Sequence, residues 1–216
     1  MKTQVIKIGM LTGLFVLSLS LITVAQHNNE KVSEKRSLSS GETSKTKRWG
    51  FEFNLGGSHA TRNLAGTSLN TGMGFEGLFS YRFLPHTAIY AGWGWNKFSA
   101  DQSFAGSHMD FEETGYVYGV QFKHPVENTS LSYYFRAGGL YNHIELEDKS
   151  GNIIGDTGHG TGWQIAGGIE LALNDRWHFT PGFKYNSLSR DVEIKGSTYS
   201  LNHDYLSLRV GFVRNF

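Results

Sequence analysis

The sequence predicts an all-β fold, an antiparallel up-and-down barrel of eight strands. Apolar residues recur on every second position in eight separate stretches, which is the period of a strand with one apolar face. The connections between these stretches alternate between long and short. The 216 residues also include 27 glycines and 15 phenylalanines but only 3 prolines, a composition that favours strands over helices and is long enough for one closed sheet.

Charge and cysteine content exclude several other classes of protein. The formal net charge is +1, which argues against a nucleic-acid-binding protein with a basic stripe. The chain has no cysteine, so disulfide frameworks, thiolate metal sites and a lipid-modified N-terminal cysteine are excluded.

Residues 1–25 predict a cleaved signal peptide. Lys2 and Lys7 precede an apolar run from residue 8 to residue 24, and Thr23 and Ala25 are small residues suited to cleavage after Ala25. A retained transmembrane anchor is the alternative, but the run is short for a membrane span. Residues 26–48 are almost entirely polar and predict a disordered lead-in, and residues 49–216 form the predicted barrel.

The eight strands are recognised by their alternating apolar positions. In the first four strands these are Trp49, Phe51, Phe53 and Leu55; Met73, Phe75, Phe79, Tyr81 and Phe83; Ile89, Ala91, Trp93 and Trp95; and Tyr116, Tyr118, Val120 and Phe122. In the last four they are Leu131, Tyr133, Phe135 and Tyr141; Trp163, Ile165, Ile169, Leu171 and Leu173; Trp177, Phe179, Phe183 and Tyr185; and Leu206, Leu208, Val210, Phe212 and Phe216. One register slip would exchange the faces of a strand, so agreement across eight strands supports the assignment.

The predicted connections differ in length from one end of the barrel to the other. The long ones are predicted at residues 58–69, 99–109, 147–161 and 189–202, and the short ones at residues 84–86, 125–129 and 174–176. Short periplasmic turns and longer external loops are typical of barrels that span the bacterial outer membrane. An even number of strands places both ends of the barrel, and therefore the lead-in, on the periplasmic side.

The apolar face is predicted to point outward. In a soluble, lipocalin-like barrel it would point inward, but an eight-stranded barrel is barely wide enough for its own side chains and could not hold so many aromatic rings. The opposite face is rich in glycine, which suits a narrow lumen. We therefore predict a transmembrane barrel with two interfacial aromatic girdles. Their members are Trp49, Phe83, Trp177 and Phe216 at one rim and Trp95, Tyr116, Tyr141, Trp163 and Tyr185 towards the other.

The chain ends R-V-G-F-V-R-N-F, residues 209–216. With the strand pattern, this ending resembles the OmpA/OmpX-like eight-stranded outer-membrane β-barrel family, the small outer membrane barrel proteins of Gram-negative envelopes. The resemblance covers residues 49–216 and implies an insertion signal formed by Arg209, Gly211, Phe212 and Phe216. It implies insertion machinery and periplasmic chaperones as partners, and lipid and lipopolysaccharide as surroundings. Arg214 departs from the family, which prefers an apolar residue there.

Charged residues on the inward face predict a structural network in the lumen. Its members are Glu52, Glu76, Arg82, Glu113, Lys123, Arg136, Glu170, Lys184 and Arg209. An ion path is the functional alternative. Because eight strands leave little continuous channel and unpaired charges there would be costly, the sequence favours paired charges that fill the barrel.

The loop side is acidic and carries most of the remaining polar chemistry. Its carboxylates, Asp101, Asp110, Glu112, Glu113, Glu145, Glu147, Asp148, Asp156, Asp191, Glu193 and Asp204, outnumber the cations Arg62, Lys149, Arg190 and Lys195. This rim could share divalent cations with lipopolysaccharide, or it could simply keep the loops soluble.

Five histidines, His59, His108, His143, His159 and His203, lie on the same side. Because no two of them have a ligand spacing such as H-x-H, the sequence predicts no metal site. Ser58-His59, or Ser107-His108 with Asp110, could be combined into a hydrolase triad, but no local motif of outer-membrane lipid A enzymes is present.

We therefore expect a non-enzymatic outer-membrane barrel, with no cofactor, that contributes to envelope integrity or to surface contact through its loops. The alternatives are a narrow pore for small solutes and a lipid A-modifying enzyme. The sequence does not specify an extracellular partner.

Overall fold

Residues 47–216 are described in the computed structural model, so the predicted signal peptide and nearly all of the predicted lead-in lie outside the described residues. The described residues form ten strands. They are β1 (Trp49–Ala60), β2 (Gly72–Leu84), β3 (Thr87–Ser103), β4 (Gly106–Pro125), β5 (Leu131–Glu147), β6 (Ile153–Asp156), β7 (Gly160–Ala172), β8 (Trp177–Phe179), β9 (Gly182–Ile194) and β10 (Ser197–Asn215). This part of the chain has no helix long and apolar enough to cross a membrane.

The strands close into a ring. Neighbours in sequence pair antiparallel from β1 to β5, β5 also pairs with β7, and the last strand, β10, pairs with the first. Strands β8 and β9 both lie between β7 and β10 and together occupy one predicted strand, interrupted at Thr180 and Pro181. Strand β6 is an addition within the third predicted loop, where it pairs with β5. The predicted all-β, eight-stranded up-and-down fold is confirmed with these two refinements.

The start of the first strand, β1, and the end of the last strand, β10, each lie beside a short turn. Arg82 N donates to Arg48 O (2.8 Å) next to the turn that joins β2 to β3, and Asn215 N donates to Arg176 O (2.8 Å) next to the turn before β8. Within residues 125–131, Val126 N donates to Leu131 O (2.9 Å). The terminal strands and these two short turns therefore share one end, as expected for periplasmic turns.

The outward face of the ring carries the apolar residues that the alternation identified. Phe79 is 61% exposed, Phe135 58% and Leu208 59%, although each is a large apolar side chain. Such a continuous exposed apolar face would be unfavourable in water and suits acyl chains. The predicted orientation of the faces is confirmed in the membrane-spanning part of the barrel.

Two of the predicted loops are instead extended hairpins, so their predicted bounds were wrong. Strand β3 continues to Ser103 and β4 begins at Gly106, which leaves a two-residue turn. Strand β9 continues to Ile194 and β10 begins at Ser197, joined by Lys195 (φ 51°) and Gly196 (φ 77°). Two consecutive positive φ angles match the tight hairpin turns whose twist suits antiparallel strands.

Two neighbouring glycines of β1, Gly56 and Gly57, allow a test of how closely β1 and β10 approach each other. A Cβ at Gly56 would overlap the carbonyl oxygen of Leu208 and lie 3.0 Å from Arg209 Cα, so Gly56→Ala must push β10 away from β1. A Cβ at Gly57 would meet nothing closer than 3.9 Å. We expect Gly56→Ala to lower the free energy of unfolding by about 1–3 kcal/mol and Gly57→Ala to change it by less than about 0.5 kcal/mol.

The measurement is urea unfolding of the barrel in lipid vesicles, followed by tryptophan fluorescence and by heat-modifiable gel mobility. Equal unfolding midpoints for the two variants would contradict the close approach of β1 and β10 at Gly56.

Candidate functional site

The interior of the ring is the candidate site, and its periplasmic half holds charged side chains in pairs. Arg136, on β5, donates through both terminal nitrogens to the carboxylate of Glu52, on β1, and through Nε to Gln121 Oε1 (2.7 Å). The guanidinium carbon also lies 4.8 Å from the centre of the Tyr134 ring. The sequence placed Glu52 and Arg136 on the inward face, and the structure brings them together across the lumen.

Two further ion pairs lie in the same half. Lys184 Nζ lies 2.6 Å from Glu76 Oε2, and Lys123 Nζ lies 3.0 Å from Glu170 Oε1. Glu170 Oε1 is also 2.9 Å from His178 Nδ1, a partner that the sequence analysis missed. We call the set Glu52, Glu76, Lys123, Arg136, Glu170, His178 and Lys184 the charged layer.

A second polar layer follows towards the loops, and its charged members, Arg209 and Glu113, bond asparagine side chains. Arg209 donates to Asn96 Oδ1, and Glu113 accepts from Asn142 Nδ2. Tyr205 Oη accepts from Asn96 Nδ2 (3.1 Å) and Asn186 Nδ2 (2.6 Å). Two cavities, each with room for about one water molecule, lie within the charged layer and the second polar layer.

Arg82 is placed differently from the other predicted members of the network. Its side chain is half-buried near the periplasmic rim and donates to the backbone carbonyl of Lys47. Arg190, which the sequence placed on the exposed rim, is instead buried inside the barrel and donates to Thr161 O (2.7 Å) and Asn142 O (3.2 Å). Glu113 is likewise interior and does not contribute to the acidic rim.

The extracellular half of the interior is apolar, which the sequence analysis did not predict. We call its residues the apolar cap: Phe98, Ala100, Met109, Phe111, Ile144, Leu146, Val192, Ile194 and Leu201. Phe98 and Phe111 are register partners on β3 and β4, and each is 1% exposed. The expectation of small and ionic side chains in the interior therefore fails in the extracellular half, and in the periplasmic half Leu78, Tyr90 and Leu140 are buried among the charged side chains.

The polarity of the two faces exchanges where the strands leave the aromatic girdle. On β3 the outward side chains change from Trp93 and Trp95 to Lys97, while the inward side chains change from Asn96 to Phe98. A strand with a polar outer face and an apolar inner face is what water outside and a packed core inside require. The period of two continues through the exchange, so the hairpins beyond it extend the barrel above the membrane.

An outward ion cluster lies directly above the girdle. Lys97 Nζ lies 2.7 Å from Glu112 Oε1, 2.9 Å from Asp110 Oδ2 and 3.6 Å from Glu147 Oε2. Trp95 Nε1 donates to Glu112 Oε2 (2.9 Å), which ties the cluster to the interfacial ring below. Beyond β5, the pKa of the Asp148 carboxyl is lowered by hydrogen bonds from the Asn152 side chain and backbone, so the loop turn is held by an ionised carboxylate.

In the described part of the chain, neither serine of the two combinations considered for a hydrolase triad bonds its neighbouring histidine. Ser58 is buried in the lumen and bonds Ser207 Oγ (2.8 Å), whereas His59, the next residue of β1, is exposed on the outer face. Ser107 Oγ donates to Gln102 Oε1 (3.1 Å) on a hairpin whose His108 is exposed.

The loop histidines occupy three different environments. His59 and His108 are exposed, and His203 is buried between Phe98 and Tyr205, with ring centres 4.7 and 4.8 Å away. His143 and His159 stack at 4.5 Å. His143 also lies beside Glu145 and Asp156, whose ligand atoms fall within 4.8 Å of one another. The spacing of histidines along the chain does not identify this group, because its members come from two paired strands.

The predicted insertion signal forms the closing strand of the ring. Arg209 points inward, while Phe212 and Phe216 point outward and are about half exposed. A Cβ at Gly211 would lie 2.7 Å from Asn54 Cβ, so glycine permits the close contact of β10 with β1. Arg214, the departure from the family ending, lies over the rings of Phe216 (5.1 Å) and Trp177 (5.7 Å), a cation–π arrangement.

Comparison with known families decides the identity of the fold. The family model described as "Outer membrane protein beta-barrel domain" matches residues 15–216. The chain belongs to this outer membrane β-barrel family. A search of the curated proteins finds no match.

Solved structures of other outer-membrane barrels have the same fold as this family member. Neisserial surface protein A is 12% identical, with a TM-score of 0.59, over 78% of this chain and 97% of that one. AlkL, in lipid bilayers, is 15% identical, with a TM-score of 0.53, over 82% and 94%. Outer Membrane Protein W of E. coli is 12% identical, with a TM-score of 0.52, over 79% and 100%. The family match places the barrel in the bacterial outer membrane. The similarities to the solved structures show the fold alone.

Proposed function

We propose that this outer-membrane barrel is neither an enzyme nor a pore, and that it contributes to envelope integrity and surface contact through its extracellular hairpins. The apolar cap is the observation that carries the proposal. Its side chains fill the end of the lumen through which a solute would have to enter, and Leu146 and Leu201 are fully buried within it. Below the cap, the cations and carboxylates of the charged layer pair with one another across the lumen and do not line an open path.

The extracellular hairpins support the second part of the proposal. They continue the barrel strands above the girdle on a packed core, so they present a fixed polar surface rather than mobile loops. Lipopolysaccharide is the proposed neighbour of the outward ion cluster of Lys97, Asp110, Glu112 and Glu147, because phosphate groups and carboxylates can share divalent cations. Contact through such bridges would link the barrel to the outer leaflet.

The proposal is tested by recording the purified barrel in planar lipid bilayers and by deleting its gene. We expect no stable channel, in contrast to a porin purified in the same detergent, and an unchanged lipid A mass spectrum in the deletion strain. We expect that strain to become more sensitive to detergents and to antibiotics that an intact outer membrane excludes. Stable openings would favour the narrow pore, and altered lipid A would favour the enzyme.

The insertion machinery and periplasmic chaperones are proposed partners during assembly. Phe216 N donates to Trp49 O (2.9 Å), so the last residue completes the pairing that closes the ring, and its exposed ring is available at the periplasmic rim. We expect deletion of Phe216 to reduce the heat-modifiable, membrane-inserted fraction in cells, while deletion of exposed Lys149 in the extracellular turn leaves it unchanged. Equal assembly of both variants would contradict this role.

A further inference from the structure

We propose that His143, Glu145 and Asp156 form a site for a borderline divalent metal ion such as Zn²⁺ or Cu²⁺ on the outer face of the extracellular extension. His143 and Glu145 are two residues apart on β5 and therefore point to the same face. Asp156 is the direct register partner of Glu145 on β6. One imidazole and two carboxylates thus converge from two paired strands.

The distances are those of a site that closes with small side-chain rotations. His143 Nδ1 lies 3.1 Å from Asp156 Oδ1 and 3.9 Å from Glu145 Oε1. Tetrahedral Zn²⁺ with nitrogen and oxygen ligands at about 2.0–2.1 Å requires its ligand atoms to be roughly 3.3 Å apart. The two observed separations bracket this value, and all three ligand atoms lie within 4.8 Å of one another, so small side-chain rotations would bring them to coordinating distance.

Charge at this position also indicates a cation. Glu145 and Asp156 lie directly opposite each other, and like charges in such a cross-strand pair are destabilising. Among the salt bridges of residues 47–216, neither carboxylate is paired with a lysine or arginine, and His143 is their only basic partner. A divalent ion would neutralise the two carboxylates and bind the imidazole nitrogen at once.

The neighbouring groups hold the ligands in place. Gly158 N donates to Asp156 Oδ1 (2.8 Å), and Ile144 N donates to Thr157 Oγ1 (2.9 Å), which fixes the hairpin between the ligands. The His159 ring stacks on His143 with an interplanar angle of 15°, which restricts rotation of the imidazole. Hydrogen bonds and packing of this kind around the ligands set metal affinity.

The presence of an imidazole sets the class of metal. Ca²⁺ and Mg²⁺ take oxygen ligands, whereas imidazole with carboxylates suits Zn²⁺, Cu²⁺ and Ni²⁺. With three protein ligands, a fourth tetrahedral position faces solvent and is open to water or to an external ligand. The bound ion would cross-link β6 to β5 and fix the third extracellular hairpin.

The test is isothermal titration of the full chain, purified in detergent and stripped with a chelator, with ZnCl₂ and separately with CaCl₂. We expect one Zn²⁺ per chain, bound at least about tenfold more weakly by His143→Ala and by Asp156→Ala. The matched control is His59→Ala, which removes an exposed histidine on β1 and is expected to bind as the parent chain does. Heat-modifiable gel mobility verifies that each variant is folded.

A second measurement identifies the ligands independently of affinity. The electron paramagnetic resonance spectrum of the Cu²⁺-loaded chain is expected to show nitrogen hyperfine splitting that is lost in His143→Ala and retained in His59→Ala. The proposal is overturned if His143→Ala binds Zn²⁺ like the parent chain, if Ca²⁺ binds as tightly as Zn²⁺, or if the nitrogen splitting survives in His143→Ala.

Discussion

Replacing Arg136 with methionine is expected to lower the free energy of unfolding by about 3–5 kcal/mol, because it leaves a buried carboxylate without its partner. Both side chains of the pair are almost fully buried, at 9% exposure for Arg136 and 6% for Glu52. The guanidinium supplies two of its hydrogen bonds to Glu52 and one to Gln121. Methionine has similar length but no donor. The Glu52 carboxylate would therefore remain buried without its cationic partner and would keep only the hydrogen bond from Asn54 Nδ2 (3.2 Å).

The double variant Glu52→Gln/Arg136→Met separates this explanation from a general loss of packing. Removing both charges is expected to restore most of the lost stability, because neutral replacements of a buried ion pair are often tolerated. The control Arg176→Met removes an exposed arginine in the periplasmic turn and should shift stability by less than about 0.5 kcal/mol.

Urea titration in lipid vesicles gives the unfolding midpoints of all three variants. Two results would contradict the proposed role of the Glu52–Arg136 ion pair. One is an Arg136→Met midpoint equal to that of Arg176→Met, and the other is a double variant that is no more stable than Arg136→Met. A restored double variant would also argue that the charged layer serves structure rather than ion conduction.

The membrane-spanning part of the fold could be predicted because contact with lipid requires the same alternation of outward and inward residues in every strand. A closed barrel in lipid must alternate apolar outward and small or polar inward residues, so Trp93 and Phe135 identify the outward positions from spacing alone. The same rule explains why Glu52 and Arg136 could be placed in the lumen. Their pairing could not be predicted, because they are 84 residues apart and meet only when the ring of strands closes.

The extracellular extension was predicted as loops because the polarity of the two strand faces is reversed outside the membrane, where the outer face is polar and the inner face is apolar. Beyond Trp95, the buried apolar positions of β3 are the even residues Phe98 and Ala100, whereas the apolar positions that identify the strand below are odd. A shift of the apolar residues by one position, with the period of two otherwise unbroken, is the sequence signal that a strand continues beyond the membrane. The neighbours of His143 were missed for a related reason, since Asp156 reaches it only through the additional strand β6.

Replacing Phe98 with alanine is expected to cost about 3–5 kcal/mol and to loosen the extracellular hairpins before the membrane-spanning strands. The Phe98 ring is 1% exposed and meets the rings of His203 at 4.7 Å and Tyr205 at 5.2 Å. The cavity left by alanine lies above the girdle, where water rather than lipid surrounds the barrel. The extension therefore depends on its own core, whereas the strands below are also held by the bilayer.

Hydrogen exchange measured residue by residue in detergent micelles distinguishes the two regions. In Phe98→Ala, amides of residues 98–111 should exchange faster, while those of residues 89–95 keep their protection. The control is Ile153→Ala, which truncates an exposed apolar residue (57%) on the extracellular strand β6 and should leave residues 98–111 protected. Equal protection in both variants would mean that the apolar cap does not order the hairpins. Because the proposed sealing of the lumen depends on that cap, the same result would also remove the main support for a barrel that does not conduct.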